Sequence, residues 1–387
     1  MMRLSPFHGL CILNAYRPGV PLRSTPGFTL SLASRAGGRV FMRLRFINGI
    51  LIALFVIGGS DSAGHSSLTA APKAEDDFQI VKVADGVYAA IAKPGGVASG
   101  NAGFVIGNDG VLIFDTFSTP VAIEELIAEI QKLTKLPIKY AVNSHYHLDH
   151  TGGNQVLVAR GVPIIAHDNV MIWQTTKNKR FLPAPEELVK RKVDAANQLS
   201  ITSADQADRR VQLERTIRRL DALMEIKLTN PTKTFKSGTM NLDLGKRKVI
   251  LATLPGHTGG DVFAYVSDAN VVFTGDLGWS KTLPNLVDAT VNDWIPTLDQ
   301  MLKQYPTARY VPGHGGVAEA SDIKDFREYL DDLRTRVKQG ITNGLTVDQA
   351  KQQLTLPEKY KGFAFQNFAV PNVEDMYKEL KGTKQVQ

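Results

Sequence analysis

The run Ser144-His145-Tyr146-His147-Leu148-Asp149-His150 puts four imidazole or carboxylate side chains within six positions, and no other stretch restricts the chain so much. Single histidines follow in Pro255-Gly256-His257-Thr258-Gly259-Gly260 and Pro312-Gly313-His314-Gly315, with the carboxylate of Thr274-Gly275-Asp276 between them. Six histidines lie beyond residue 72, and five of them belong to this set. Neutral imidazole and carboxylate are the ligands that Zn²⁺ takes when thiolate is absent. Two zinc ions sharing one carboxylate need about seven such groups, the number that His145, His147, Asp149, His150, His257, Asp276 and His314 supply.

The surrounding pattern reads as two copies of one unit. In the first, strands at Gly103–Ile106 and Val111–Phe114 flank the turn Gly107-Asn108-Asp109-Gly110, and the second strand ends in Asp115. In the other, Val262–Val266 and Val271–Phe273 flank Ser267-Asp268-Ala269-Asn270 and end at Asp276. Such polar turns between β-rich runs are hairpin signals. Each hairpin leads into a helical pattern, Val121–Leu133 or Trp294–Leu302, and then a strand before a histidine, Ile138–Val142 or Ala308–Val311. The donors therefore sit at strand ends, on loops where two similar halves meet.

Between the halves, residues 185–228 turn helical and charged, with Leu213, Ile217, Leu220 and Met224 at helical spacing. They read equally as amphipathic helices covering a sheet and as a lid over a pocket. Further helices are expected at Asp322–Val337 and Val347–Gln353, with the last dozen residues docked loosely.

His145 and His147 can face one ion because alternate positions project to the same side. Asp149 and His150, further along, suit a second ion close by, and Gly152-Gly153 permit a sharp turn into the next helix. Asp276 can use both oxygens to bridge two cations. A lone histidine after Pro-Gly ordinarily belongs to a solvated loop, and Asp276 alone would simply cap a turn. His-x-His-x-Asp-His after a strand, with its remaining pieces at equivalent points of a second half, is not what chance placement gives. His167, the histidine left over, reads as structural or as part of a pocket rim.

Charge argues against a nucleic-acid partner. The formal net charge is +7, but residues 1–72 hold seven arginines against Asp61, which leaves about +1 for the rest. That leader reads as an export signal, with residues 1–41 an over-long start and 42–71 a signal peptide. Arg43 and Arg45 precede the apolar Ile47–Ile57 and then small residues. The apolar stretch is short for a membrane span, so no stable span is expected in the mature form, and the location is periplasmic or secreted. Cys11, the only cysteine, lies in the doubtful segment, so the mature chain has neither disulfide nor thiolate ligand.

On these residues the chain resembles the metallo-β-lactamase superfamily, over roughly residues 78–320. Asp115 matches the first motif, His145-x-His147-x-Asp149-His150 the second, and His257, Asp276 and His314 the third, fourth and fifth. The resemblance implies an α/β fold: a four-layer αββα sandwich, here with a helical insertion at 185–228 and a C-terminal helical extension at 321–387. It implies one zinc on His145, His147 and His257 and another on Asp149, His150 and His314. Asp276 bridges them, as in glyoxalase II-like members, and Asp115 orients a ligand histidine. Well-known lactamase branches place cysteine, or serine beside an altered ligand set, where Asp276 stands. Aspartate there is shared with thioesterase, lactonase and phosphodiesterase branches, whereas export favours degrading an antibiotic or scavenging.

The expected activity is that of a secreted di-zinc hydrolase whose metal-bridging hydroxide cleaves a small carbonyl substrate: a β-lactam, lactone, ester or thioester. Asp149 or Asp276 relays the proton. A phosphodiesterase of the same fold and a metal-binding module without turnover are the alternatives. For substrate contacts the candidates are Asn101, Tyr146, Trp173, Trp279, Lys281 and Asn285. Core packing is an equal reading for Tyr146 and Trp173, and Lys281 reads better as a solvated lysine. The sequence leaves open the native substrate, the oligomeric state, the true start and cleavage site, and the metal loaded in the cell, since iron or manganese would also accept histidine and carboxylate.

Overall fold

Each strand's alternation decides which of the chain's cores a side chain joins. The computed structural model describes residues 77–385. The proposed start at 1–41, the signal peptide at 42–71 and Cys11 lie outside the described residues.

The first sheet runs β1 (Phe78–Ala84), β2 (Val87–Ala92), β3 (Ala102–Ile106), β4 (Val111–Phe114), β5 (Ile138–Val142), β6 (Ile164–His167) and β7 (Lys233–Phe235), in that spatial order. Its first four strands form an antiparallel meander, and β4 to β7 run parallel. The second sheet has the order β12 (Arg309–His314), β11 (Val271–Trp279), β10 (Val262–Val266), β9 (Lys248–Thr253), β8 (Thr239–Asp243). Only β11 and β12 are parallel in it. Both halves thus hold the expected unit, an antiparallel pair followed by a helix and a parallel strand. The helices are α1 (Pro120–Leu133) in the first and α7 (Val291–Gln304) in the second.

Period-2 alternation sorts β4 between two layers. Val111 and Ile113 join Ile123, Leu126, Ile127 and Ile130 of α1 outside the first sheet. Leu112 and Phe114 face inward to Val249, Leu251, Val262 and Phe273 of the second sheet. The rings of Phe114 and Phe273 meet at 5.5 Å. Burial of each such side chain contributes about 1.5–3 kcal/mol. Helix α1 starts where Thr119 Oγ accepts from the Ala122 N–H with Pro120 in its first turn, the arrangement that suits a helix N-terminus.

Beyond the second sheet lie α7, α8 (Ala320–Thr342) and α10 (Ala369–Leu380), whose Trp294, Phe326, Tyr329 and Met376 build the third core. Helix, sheet, sheet, helix is the four-layer order that the sequence implied. No described helix is long and apolar enough to cross a membrane.

Three expectations need correction. Strand β11 does not end at Asp276 but continues to Trp279, and β12 continues through His314, because Trp279 pairs with His314 in the ladder. Through Lys384 the C-terminal segment is not loosely docked. Lys384 Nζ donates to the carbonyls of Leu286 and Ala289, and both Glu379 carboxylate oxygens accept from the N–H groups of Val291 and Asn292 at the start of α7. Gly152 and Gly153 have ordinary negative φ. Space rather than turning freedom requires them, since a Cβ at either would collide with the carbonyl oxygen of Ser118 or Thr116.

Candidate metal centre

The parallel strands deliver their donors to one edge. After β5 the chain turns through His145 into the short helix α2 (Leu148–Thr151), which carries Asp149 and His150. His257 lies in the connection between β9 and β10, Asp276 within β11, and His314 at the end of β12. The structure brings all seven sequence-predicted donors together. They fall into two groups, His145, His147, His257 and Asp276 in one and Asp149, His150 and His314 in the other, with the donor atoms of each group within 4.8 Å of one another.

Asp276 stands between the groups. Its Oδ1 lies 3.2 Å from His150 Nε2, and its Oδ2 lies 3.2 Å from His257 Nε2, 3.8 Å from His145 Nε2 and 3.6 Å from His314 Nε2. Asp149 Oδ2 is 3.2 Å from His314 Nε2. Gly313 makes this approach possible, because any Cβ there would collide with Asp276 Oδ1.

Each imidazole's remaining nitrogen shows which atom is turned to the cluster. His150 Nδ1 lies 2.9 Å from Asp115 Oδ2, and His145 Nδ1 lies 2.9 Å from Ser144 Oγ, which itself donates to Asp115. The Nε2 atoms of both rings are buried and have no hydrogen-bond partner. His147 is reversed. Its Nε2 lies 2.9 Å from Asp288 Oδ2, so its Nδ1 faces the cluster, 3.0 Å from His257 Nε2. Buried imidazole nitrogens without a partner are costly, and a cation among them removes that cost. The all-nitrogen-and-oxygen donor set fits zinc.

Asp115 therefore touches a donor histidine rather than the donors' point of convergence. It sits just after β4 at φ +63°, a left-handed conformation rarely taken by a residue other than glycine. Its Oδ1 accepts from the Ser144 N–H and so fixes the start of the donor run. Asp288 does the same work for His147, held in turn by Tyr146 Oη and Arg180. Sequence reading missed Asp288 and Arg180; neither lies in a motif.

Electrostatics divides the histidines. Burial, with His150 nearby, holds the His145 pKa well below the usual imidazole range, and burial takes His257 to about 3. Burial also opposes charge on His150 and His314. There Asp276, with Asp149 among the other carboxylates, outweighs it, holding His150 well above that range and His314 at about 9. The same pairing outweighs burial at Asp149 and Asp276 and keeps both carboxyls well below the usual range.

The donors form the floor of a cavity of about 680 Å³, to which His147, Asp149, Asp276 and His314 are open. Trp279 and Asn285 line it as expected, and Trp279 stacks on His314 with centroids 4.2 Å apart. The other substrate-contact candidates lie elsewhere. Asn101 is buried and donates to the carbonyls of Pro312 and Gly315, which ties β3 to the His314 loop. Tyr146 is fully buried against Trp173, whose face lies under Lys177 Nζ at 3.6 Å. The Lys281 side chain is 72% exposed and 3.9 Å from Asp322, a solvated lysine. His167 bonds the Lys236 carbonyl and caps α4 (Asp168–Trp173), so its role is structural.

The sequence marked the insertion as a candidate lid but not which of its residues line the cavity. Phe181 and Pro183 precede the insertion, whose helices α5 (Pro185–Ile201) and α6 (Ala207–Met224) add Arg191, Arg219 and Leu223. Ala222 of α6 meanwhile packs into the core outside the first sheet, so the insertion both covers the sheet and shapes the cavity. Phe365 and Phe368 come from the C-terminal extension. They are held there because Leu283 N–H donates to the Ala364 carbonyl and Ala364 N–H to that of Lys281.

Known proteins share part of this sequence and its fold. A linear primary-alkylsulfatase of Pseudomonas sp. is 22% identical over 275 residues, 66% of this chain and 50% of that protein. The chain thus spans only half the length of that relative. A type 2 metallo-beta-lactamase of Bacteroides fragilis is 24% identical over 267 residues, 67% of this chain and 88% of that protein. Among solved structures, the sec-alkylsulfatase Pisa1 from Pseudomonas sp. superposes with a TM-score of 0.57 at 18% identity, covering 78% of this chain and 50% of its own. The sequence profile of the metallo-beta-lactamase superfamily matches residues 95–314, and this chain belongs to that superfamily.

Proposed function

We propose that the chain is an exported di-zinc hydrolase of a small carbonyl substrate: a β-lactam, lactone, ester or thioester. The observation that carries this reading is Asp276, whose Oδ1 faces His150 and whose Oδ2 faces His257 and His314, beside the buried Nε2 atoms of His145 and His150, which make no hydrogen bond. His145, His147 and His257 would hold one ion, Asp149, His150 and His314 the other, and Asp276 both. Zinc bound there supplies a water of lowered pKa as nucleophile and polarises the substrate's oxygen.

The chain's own residues do the rest. Asp115 and Asp288 fix the rings of His150 and His147, so the donors are in place before substrate arrives. The Asp149 side chain, 31% exposed, is the carboxylate on the cavity floor most open to solvent, which makes it the candidate to relay a proton. Trp279, Phe365 and Phe368 exclude water from one side of the bond to be cleaved.

Hydrolysis of a chromogenic cephalosporin by the purified chain, with zinc measured on the same sample, is the test. Turnover abolished by a chelator, with about two zinc per chain, supports the reading in its lactam form. Two zinc without turnover redirects the search to lactones, esters and thioesters, and no bound metal overturns the reading. Sulfate esters form a second arm of the panel, because the relative matched over 66% of the chain is named an alkylsulfatase. Export rests on residues 42–71 and is tested by fractionating cells that express the full chain.

A further inference from the structure

The insertion brings two guanidinium groups to one cavity wall, Arg191 from α5 and Arg219 from α6. Most basic residues of these helices that bear on the fold have partners. Arg218 pairs with Asp77 and Glu125, Lys192 with Asp221, and Arg210 donates to the carbonyls of Leu199 and Thr202. Arg219 has no carboxylate or carbonyl partner among the described residues. Arg191 has only Glu187, one helical turn away at 3.9 Å, with both side chains more than half exposed. Both arginines are exposed, and desolvation against the wall, with the charge of Arg191 second, disfavours the charged form of Arg219. Around them the wall is apolar, with Phe181, Pro183, Leu220, Leu223, Phe365 and Phe368.

We propose that Arg191 and Arg219 form an oxyanion-binding subsite in the cavity wall, which holds the anionic end of a substrate with an apolar body while its scissile bond lies over the donor floor. The ligand class is an amphipathic monoanion carrying a carboxylate, sulfonate-like or phosphonate-like group, matched to a guanidinium fork. This assignment rests on the hydrolase reading for its use, but not for its detection.

The test is therefore a binding measurement that needs no turnover. Octanoate, octanesulfonate, octylphosphonate and 1-octanol, none with a bond for a hydrolase to cleave, are titrated into the full chain by calorimetry. The titrations are run on the chain as purified and again after chelation. At least one anion is expected to bind about tenfold more tightly than the alcohol, in both forms of the protein. The preferred head group identifies the oxyanion. Arg219→Gln and Arg191→Gln are each expected to remove most of that preference and leave octanol binding unchanged, with Arg219→Lys restoring part of it. The two variants lie on different helices, so misfolding of one leaves the other informative. Anions that bind no better than octanol, or a preference that survives both substitutions, overturn the subsite. Neither result bears on zinc content or turnover, which judge the hydrolase reading separately.

Discussion

The cavity's floor and wall are built on opposite principles. On the floor three of the donor rings are oriented by a further buried group, Asp115 and Ser144 for His150 and His145, and Asp288 for His147. The wall is made of helices and a docked segment whose polar groups largely face solvent, with two arginines poorly paired or not paired at all. The difference teaches where chemistry and selectivity reside. A site that must hold cations tolerates little freedom, whereas a surface that sorts substrates needs only shape and sign.

That contrast can be broken most sharply at the floor. His145→Ala or Asp276→Ala is expected to strip bound zinc and lower turnover by about 10³-fold or more, read by metal analysis beside kinetics. Full activity with unchanged metal content would end the floor's claim to chemistry. Asp288→Asn should keep the fold but weaken zinc binding about 10- to 100-fold in a chelator competition, because a neutral amide replaces the carboxylate that accepts from and orients His147.

Acidity gives the next largest effect. His314 is held at about 9 by Asp276 and Asp149, against burial. Below that pH an incoming cation must displace its proton, so apparent zinc affinity should rise between pH 6 and 9, by about tenfold per unit for one proton released. A flat profile would show that the metal does not meet His314.

At the wall the effects shrink. Phe365→Ala should raise KM roughly two- to fivefold with zinc content unchanged, since a 42% exposed ring offers limited contact. Lys281→Ala should change nothing beyond about twofold, as expected of an exposed side chain off the cavity. A larger loss at Lys281 than at Phe365 would mean that the wall has been drawn in the wrong place.

The same division explains what could be read from the amino acids. The floor was legible because metal ligation demands particular residue types at particular spacings, and the paired hairpin pattern placed them at strand ends. Strand β10, helix α9 (Val347–Gln353) and the insertion helices also followed from apolar runs, turn signals and helical spacing. Asp288 was not legible, because a lone aspartate in a loop shows nothing until folding sets it 2.9 Å from His147. Tyr146 and Asn101 sat beside motifs and drew attention to the cavity, yet packing and backbone carbonyls claim them. Which arginines of a charged helix face inward depends on how α5 and α6 pack, and period alone cannot fix that.

Phe365 reaches the cavity through a two-hydrogen-bond splice between residues 281–283 and 364. Synthesis runs from the N-terminus, so every donor through His314 leaves the ribosome about fifty residues before that splice can close. A nascent or proteolytically clipped chain that stops short of residue 363 would hold all seven donors under an incomplete wall. Such a chain would also lack Glu379 and Lys384, which hold the loop that carries Asp288, so limited proteolysis in the 355–363 stretch, with metal content and substrate choice read on the product, tests whether the two properties separate.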